Sequence, residues 1–370
     1  MVDLQSQYAF TRSKIESGIR EVLSTGKFVN GPAVREFQSN METYLKVKHV
    51  IPCANGTDAL QVALMSLQLE SGDEIIAPDF TFASTVEVIS LLGLVPVLVD
   101  VDPFSFNINP KSVEKAITKK TKAIIPVHLF GQAAEMDAIM SIANNYNLFV
   151  IEDNAQAIGA IHTDSNGNKT KTGCLGDIGC TSFFPSKNLG CFGDGGAIFT
   201  NNDDLAFKLR GIVNHGMYEK YYHDVVGVNS RLDSLQAVVL NEKLKLLDYY
   251  NERRKWASIR YSQLLSDHEN IITPKVIRNC DSHVFHQYTL RIINSKRNEL
   301  VKHLHKLSIP CAVYYPIPLH AQKAYQNDRY DKENFVVTNQ LAKEVISLPM
   351  HSELDEEQIE TICKAVIDFF

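Results

Sequence analysis

The chain of 370 residues has no apolar run approaching the roughly 20 residues that a membrane helix needs, so a membrane-spanning protein is excluded. It has no excess of positive charge. Lys and Arg total 37 against 43 Asp and Glu, a net charge of −6, which argues against a nucleic-acid-binding surface. It also lacks a disulfide framework. Its seven cysteines, Cys53, Cys174, Cys180, Cys191, Cys280, Cys311 and Cys363, are odd in number and contain no Cys-x-x-Cys pair. They read as the reduced thiols of a cytoplasmic protein. The opening Met1-Val2-Asp3-Leu4-Gln5 shows no charged-then-apolar leader, so the sequons Asn55-Gly56-Thr57 and Asn168-Lys169-Thr170 are discounted. No G-x-x-x-x-G-K-[ST] loop occurs, which leaves nucleotide hydrolysis unsupported. No His-Glu-x-x-His occurs either. The close pairs His283/His286 and His303/His305 have no cysteine partner, and the second pair lies with Lys302 and Lys306 on a solvated helix face. Repeats and low-complexity stretches are absent.

What is present is an ordinary globular composition, 45% apolar and 22% charged. At roughly 100–200 residues per domain, the length predicts two or three domains. Short apolar runs at Asp73–Ala77, Val95–Val99, Lys122–Val127 and Leu148–Glu152 read as buried strands. Thr57–Leu69 places Leu60, Ala63, Leu64 and Leu67 on one helical face. Strands alternating with helices predict an α/β fold with a mostly parallel sheet and helices on both faces. Further strands are expected at Ile178–Phe183 and Ala197–Thr200, and a long helical region from Arg231 to Leu265. Beyond it the pattern predicts a strand (Val284–Ile293), a helix (Lys296–Leu307), a strand (Ile309–Tyr315) and two helices ending at Phe370. The division that follows is a large unit, 1–248, with an N-terminal helix, and a smaller C-terminal α+β unit, 249–370.

Three segments carry chemistry. In the first, Lys187 lies in Thr181-Ser182-Phe183-Phe184-Pro185-Ser186-Lys187-Asn188-Leu189-Gly190, followed by Gly193-Asp194-Gly195-Gly196. An ordinary lysine amine is the free base in only about one molecule in 2,500 at pH 7. Its use as a nucleophile needs desolvation, a neighbouring cation or attachment to a carbonyl cofactor. The plain alternative is a loop lysine in a glycine-rich turn. In the second, Glu152-Asp153-Asn154-Ala155-Gln156 follows an apolar strand, where open α/β sheets bind ligands. A buried Asp153 calls for a cation such as a pyridinium nitrogen; the alternative is an N-cap on a following helix. In the third, Asn55-Gly56-Thr57-Asp58 passes from a strand end to a helix start, a ready anion site to which Thr57 adds a hydroxyl. Thr57 as a simple N-cap is the alternative there.

These segments, with Phe28-Val29-Asn30-Gly31-Pro32, Pro78-Asp79-Phe80-Thr81-Phe82, Pro126-Val127-His128-Leu129-Phe130-Gly131-Gln132, Gly227-Val228-Asn229-Ser230-Arg231 and Leu348-Pro349-Met350-His351, make a resemblance that runs almost end to end. The sequence resembles the DegT/DnrJ/EryC1/StrS family of nucleotide-sugar aminotransferases dependent on pyridoxal 5'-phosphate (PLP). The resemblance implies fold type I, the aspartate aminotransferase-like fold: a large, mostly parallel mixed sheet flanked by helices, plus a smaller C-terminal α+β domain. It implies that Lys187 links covalently to PLP and later shuttles the proton, and that Asp153 holds the pyridinium nitrogen. Gln156, one helical turn on, approaches the ring oxygen. Gly56, Thr57 and Ser182 hold the phosphate, and Phe82 stacks on the pyridine face. Asn229 resembles the residue that reaches the phosphate from the neighbouring subunit, which implies a homodimer with shared active sites. Asn55 and Asn154 stand where many members have Ser and a small residue.

The resemblance further implies ping-pong transfer from L-glutamate, leaving 2-oxoglutarate, to a keto sugar on a nucleoside diphosphate. The Ser-Phe-Phe-Pro-Ser-Lys, Gly-Val-Asn-Ser-Arg-Leu-Asp and Tyr-Pro-Ile-Pro-Leu runs are most similar to members that aminate C3 of UDP-linked N-acetyl-hexosaminuronates for O-antigen and lipopolysaccharide synthesis. A uronate needs a cation, and Arg231 is the candidate, with a structural dimer contact as its alternative. His320, His215 and Tyr315 are further candidates for the sugar or diphosphate. A 3-keto or 4-keto deoxyhexose on dTDP or GDP is the alternative substrate. A sugar 3-dehydratase of this fold has histidine in place of Lys187, and a non-catalytic regulator would lose Lys187 or Asp153; both residues are present.

Overall fold

The computed structural model of the chain describes residues 1–277 and 280–370. Its strands appear in order as β1 (His49–Cys53), β2 (Glu74–Pro78), β3 (Val95–Val99), β4 (Thr121–Ile124) and β5 (Phe149–Asp153). A hairpin of β6 (Ile161–Thr163) and β7 (Lys169–Lys171) precedes β8 (Ile178–Ser182) and β9 (Gly196–Thr200). Seven of these strands form one sheet in the order β1-β9-β8-β5-β4-β2-β3. β8, β5, β4, β2 and β3 are parallel, and β9 runs antiparallel to both of its neighbours. Parallel pairing needs crossovers: the helices Ser84–Leu91, Pro110–Ala116 and Met136–Tyr146 lie in those between β2 and β5, the β6–β7 hairpin lies in that from β5 to β8, and Gly56–Ser66 joins β1 to β2. Successive residues of β2 enter opposite cores: Ile75 packs with Leu60, Leu64 and Ile151, and Ile76 with Val99, Ile124 and Ile139. Helices therefore cover both faces, which is why the strands read as unbroken apolar runs.

A second hairpin, β10 (Met217–Glu219) with β11 (Tyr222–His223), stands exposed. Beyond it β12 (Ile271–Ile272), β13 (Tyr288–Ile292) and β14 (Val345–Leu348) form a three-stranded antiparallel sheet. Its core includes Tyr261, Leu290, Leu304, Ile346 and Ile359. The segment between β13 and β14 returns to the large sheet. Leu319 and Phe335 join the core around Ile75, and the Tyr330 hydroxyl donates to the Pro96 carbonyl at 2.6 Å.

β2, β3, β5, β8 and β9 fall within a residue of their expected ends, while the expected Lys122–Val127 stops at Ile124 and β1 had no expected bounds. Several other expectations are corrected. The helical region Arg231–Leu265 is two helices, Ser234–Leu244 and Leu247–Leu265. Leu246, at φ −110° and ψ 0°, separates them and lets Leu244 and Leu247 enter one buried cluster. The expected strand Ile309–Tyr315 does not form. Pro310 and Pro316 have no N–H to give a ladder, and only Ala312 bridges to Ser347. The expected strand Val284–Ile293 shortens to β13, because Phe285 adopts φ +46°. β14 was not expected. Six cysteines, Cys53, Cys174, Cys180, Cys191, Cys311 and Cys363, are free thiols; the Cys280 side chain lies outside what is described. Among the described residues no helix is long and apolar enough to cross a membrane.

Candidate active site

The C-terminal ends of β1, β2, β4, β5 and β8 share one edge of the large sheet, and a cavity of about 830 Å³ opens there. Its lining brings together Gly56, Thr57, Phe82, Asp153, Gln156, Ser182, Lys187 and Tyr315, all singled out from the sequence.

Lys187 sits in the turn after β8, its backbone N–H donating to the Phe184 carbonyl at 2.8 Å. The turn closes tightly: a Cβ at Gly190 would lie 2.3 Å from the Pro185 carbonyl oxygen. The Lys187 amine makes no hydrogen bond among the described residues. Burial pulls its pKa down to about 8, against the opposing pull of Asp153. At pH 7 about one amine in ten is then the free base, against one in thousands for an exposed lysine.

Asp153 ends β5, 6% exposed. It accepts the Thr85 hydroxyl at 2.8 Å and the Ala155 N–H at 3.2 Å. Burial raises its pKa, and these two bonds with the Lys187 charge do not reverse the shift. The buried carboxylate is short of a cation. No helix follows it, so the N-cap alternative falls, and Gln156 lies in a run of turns rather than one helical turn on. Gln156 is nonetheless fixed: its Oε1 accepts the Phe130 N–H at 2.7 Å, and its Nε2 donates to the Tyr315 hydroxyl at 3.2 Å.

The helix Gly56–Ser66 points its N-terminus into the cavity. Asn55 caps it, its side chain accepting the Asp58 N–H at 2.8 Å, so Thr57 is not the cap. The N–H groups of Gly56 and Thr57 donate to nothing among the described residues. Thr57 Oγ1 lies 2.7 Å from Ser84 Oγ, and Ser182 Oγ accepts the Phe184 N–H at 3.3 Å, leaving its own hydrogen free. A Cβ at Gly56 would lie 2.7 Å from the Ser182 Cβ, so only glycine lets the two approach. Two free amides, two hydroxyls and a helix dipole suit a phosphate. A cation-seeking carboxylate and a free amine suit a pyridine ring bearing an aldehyde. The residues present fit PLP.

Phe82, 59% exposed, has its ring 6.5 Å from that of Tyr315 at the mouth of the cavity. Four singled-out residues do not line it. Asn229 and His215 are exposed beside the β10–β11 hairpin, and Arg231 is half-buried. His320 is buried against Asp79, which accepts its backbone N–H at 2.7 Å and contacts Nδ1 at 2.6 Å, and its ring stacks on Phe335. The lining also contains His286, Gln287 and Tyr314, and Asp153 depends on Thr85. None of these was singled out for this site; His286 entered only as half of a close histidine pair. They follow no strand-end motif, and nothing in their local sequence marks them. The side chains lining the cavity include four carboxylates, Asp58, Glu87, Asp153 and Asp194, and one cation, Lys187.

A model of the DegT/DnrJ/EryC1/StrS aminotransferase family matches residues 11–367. A "UDP-2-acetamido-2-deoxy-3-oxo-D-glucuronate aminotransferase" of Pseudomonas aeruginosa is 45% identical, covering 99% of this chain and 98% of that protein. A "pleiotropic regulatory protein" of Geobacillus stearothermophilus is 44% identical, over 100% of this chain and 98% of that one. Among solved structures, a DegT/DnrJ/EryC1/StrS aminotransferase of Brucella abortus superposes with a TM-score of 0.93 at 39% identity, covering 100% and 98% of the two chains. The chain belongs to the DegT/DnrJ/EryC1/StrS aminotransferase family, and its fold is the α/β aminotransferase fold of that structure.

Proposed function

We propose that this aminotransferase uses PLP to move the amino group of L-glutamate onto the C3 keto group of a UDP-linked N-acetyl-hexosaminuronate, releasing 2-oxoglutarate. One observation carries the reading: the Lys187 amine, with no hydrogen bond, shares a cavity with a buried carboxylate, Asp153, that forms no ion pair among the described residues. PLP held there supplies an electron sink for the charge left when a proton leaves the Cα of the amino donor. Lys187 takes that proton at Nζ and returns it. Asp153 keeps the pyridine nitrogen protonated, since an adjacent negative charge favours the cation. Gly56, Thr57 and Ser182 hold the phosphate, Phe82 covers one ring face, and Gln156 orients the ring oxygen. Fixed in this way, the reacting groups need little further ordering.

The substrate reading rests on the Pseudomonas relative's name and on the shared sequence runs. The product then serves lipopolysaccharide or O-antigen synthesis in the cytoplasm, in keeping with the free thiols. The active unit we infer is a homodimer. Four carboxylates and one lysine are a poor welcome for glutamate and a nucleoside diphosphate, so the missing cations come from a second copy. Asn229, His215 and Arg231, close to an exposed hairpin, are the residues we assign to the partner's cavity. The chain divides in this reading into a cofactor-binding unit, 1–248, and a smaller unit, 249–370.

The test is turnover with glutamate and a panel of UDP-linked 3-keto uronates and dTDP- or GDP-linked 3-keto and 4-keto deoxyhexoses. The uronate is expected to give the highest kcat/KM; a deoxyhexose in first place moves the assignment to the alternative substrate. No spectral response of the cofactor to glutamate would favour a regulator, the role in the Geobacillus relative's name. Arg231→Ala is expected to raise KM for the uronate about tenfold more than for its uncharged hexose analogue, the worth of one charged hydrogen-bonded pair. Equal losses would return Arg231 to a structural contact.

A further inference from the structure

One group in the cavity wall is left without a partner. His286 is 6% exposed, lines the cavity with Lys187, and has no hydrogen-bond partner for its Nδ1 among the described residues. Behind it, on the helix Leu247–Leu265, lies Arg254, 1% exposed. Its Nη1 donates to the carbonyls of Phe285 at 3.2 Å, His286 at 3.3 Å and Met350 at 3.1 Å. Its Nε–H has no partner either, and no carboxylate pairs with it among the described residues. A buried donor and a buried ring nitrogen are thus both unsatisfied on two residues that are already bonded to each other.

A neutral imidazole has one N–H and one lone pair. Burial, Lys187 and Arg254 all disfavour a charged ring, so His286 stays neutral. Nδ1 is buried with no acceptor among the described residues, where a lone pair costs less than an unpaired N–H, so the ring proton belongs on Nε2. The ring then has one N–H to offer, and no acceptor for it among the described residues.

We propose that His286 is a further substrate-contacting residue, its Nε2–H donating to the α-carboxylate of the amino-acid donor, with Arg254 as the positioning residue that holds the His286 backbone. The inference rests on the aminotransferase reading above. Lys187 works at the donor Cα, and the α-carboxylate is bonded to that carbon, so it comes to lie beside Lys187 and the wall containing His286. The carboxylates Asp58, Glu87 and Asp194 repel it from other parts of the lining. A neutral donor there binds a carboxylate without competing for the proton that Lys187 moves.

The test is ligand binding to the holoenzyme, read from cofactor absorbance without turnover. Two probes separate the roles: α-methyl-L-glutamate, which has no Cα proton to lose, and 4-aminobutyrate, which lacks the α-carboxylate. His286→Phe is expected to weaken α-methylglutamate binding about tenfold or more, and to leave 4-aminobutyrate nearly unchanged. His286→Gln, whose amide N–H extends as far as Nε2, is expected to restore most of the loss. Equal weakening of both probes, no weakening, or failure of the glutamine variant to restore binding overturns the proposal. If the wild-type holoenzyme responds to neither probe, the aminotransferase reading itself fails and the proposal with it.

Discussion

Two carboxylates end β5 side by side and have opposite surroundings. Side chains alternate across a strand, so Glu152 and Asp153 face opposite sides of the sheet. Both are buried. Glu152 accepts backbone N–H groups from Gly173 at 2.8 Å, Leu175 at 2.6 Å and Gly176 at 2.7 Å. It also accepts His128 Nε2–H at 2.8 Å, a tautomer assigned because His128 Nδ1 accepts the Ala134 N–H. Asp153 has one hydroxyl and one longer N–H. Burial alone raises the pKa of each. The bonds to Glu152 overcome that and leave its pKa lowered, while those to Asp153 do not. A carboxylate that the fold saturates belongs to the frame; one that the fold leaves short is completed by a ligand.

The sharpest break of this contrast is Lys187→Ala, which removes the lysine that shares the cavity with Asp153. Multiple turnover is expected to fall about 10⁴-fold, the upper range for a general base, and the lysine-linked cofactor absorbance is lost. Next comes the pair of neutral amides, measured by denaturant unfolding of cofactor-free protein. Glu152→Gln is expected to cost about 3–5 kcal/mol, because it breaks a buried, fully bonded charge. Asp153→Asn is expected to leave stability unchanged or raised while turnover collapses.

The pH dependence should separate the same two groups. Glu152, with its folded pKa lowered, contributes stability that is present above the ordinary glutamate range and lost as pH falls through its folded pKa. Asp153, with its folded pKa raised, costs stability at neutral pH, and that cost is relieved on acidification. Glu152→Gln should therefore flatten the acid side of the stability curve, and Asp153→Asn should not. The smallest effect is Gly56→Ala. Its Cβ crowds Ser182, and PLP affinity is expected to drop about tenfold, read by equilibrium dialysis, as the phosphate cradle shifts.

The contrast at β5 also marks how far the sequence is legible. The parallel sheet could be read because strands buried on both faces are largely apolar runs, as in Ile75, Ile76, Ala77 and Pro78 of β2. Lys187, Asp153, Gly56, Thr57 and Ser182 could be gathered because each sits in a local motif at a strand end. That Glu152 is satisfied and Asp153 is not could not be read. It depends on His128, Thr85 and the turn 173–176, which meet only when the chain is folded. The same holds for His286, whose carbonyl is held by a guanidinium on another helix. His320 followed a suggestive Tyr-Pro-Ile-Pro-Leu run, but the fold seats it against Asp79 instead. In the C-terminal part, the apolar character of Ile309–Tyr315 suggested a strand that Pro310 and Pro316 prevent.

The central claim is that one lysine, Lys187, is the point of attachment for PLP opposite Asp153. Reduction of the PLP-loaded protein with borohydride, followed by peptide mass mapping, tests it most directly. The account predicts one stable cofactor label per chain, on the peptide carrying Lys187, and none in Lys187→Ala. A label on another lysine, or an undiminished label in the alanine variant, would contradict it.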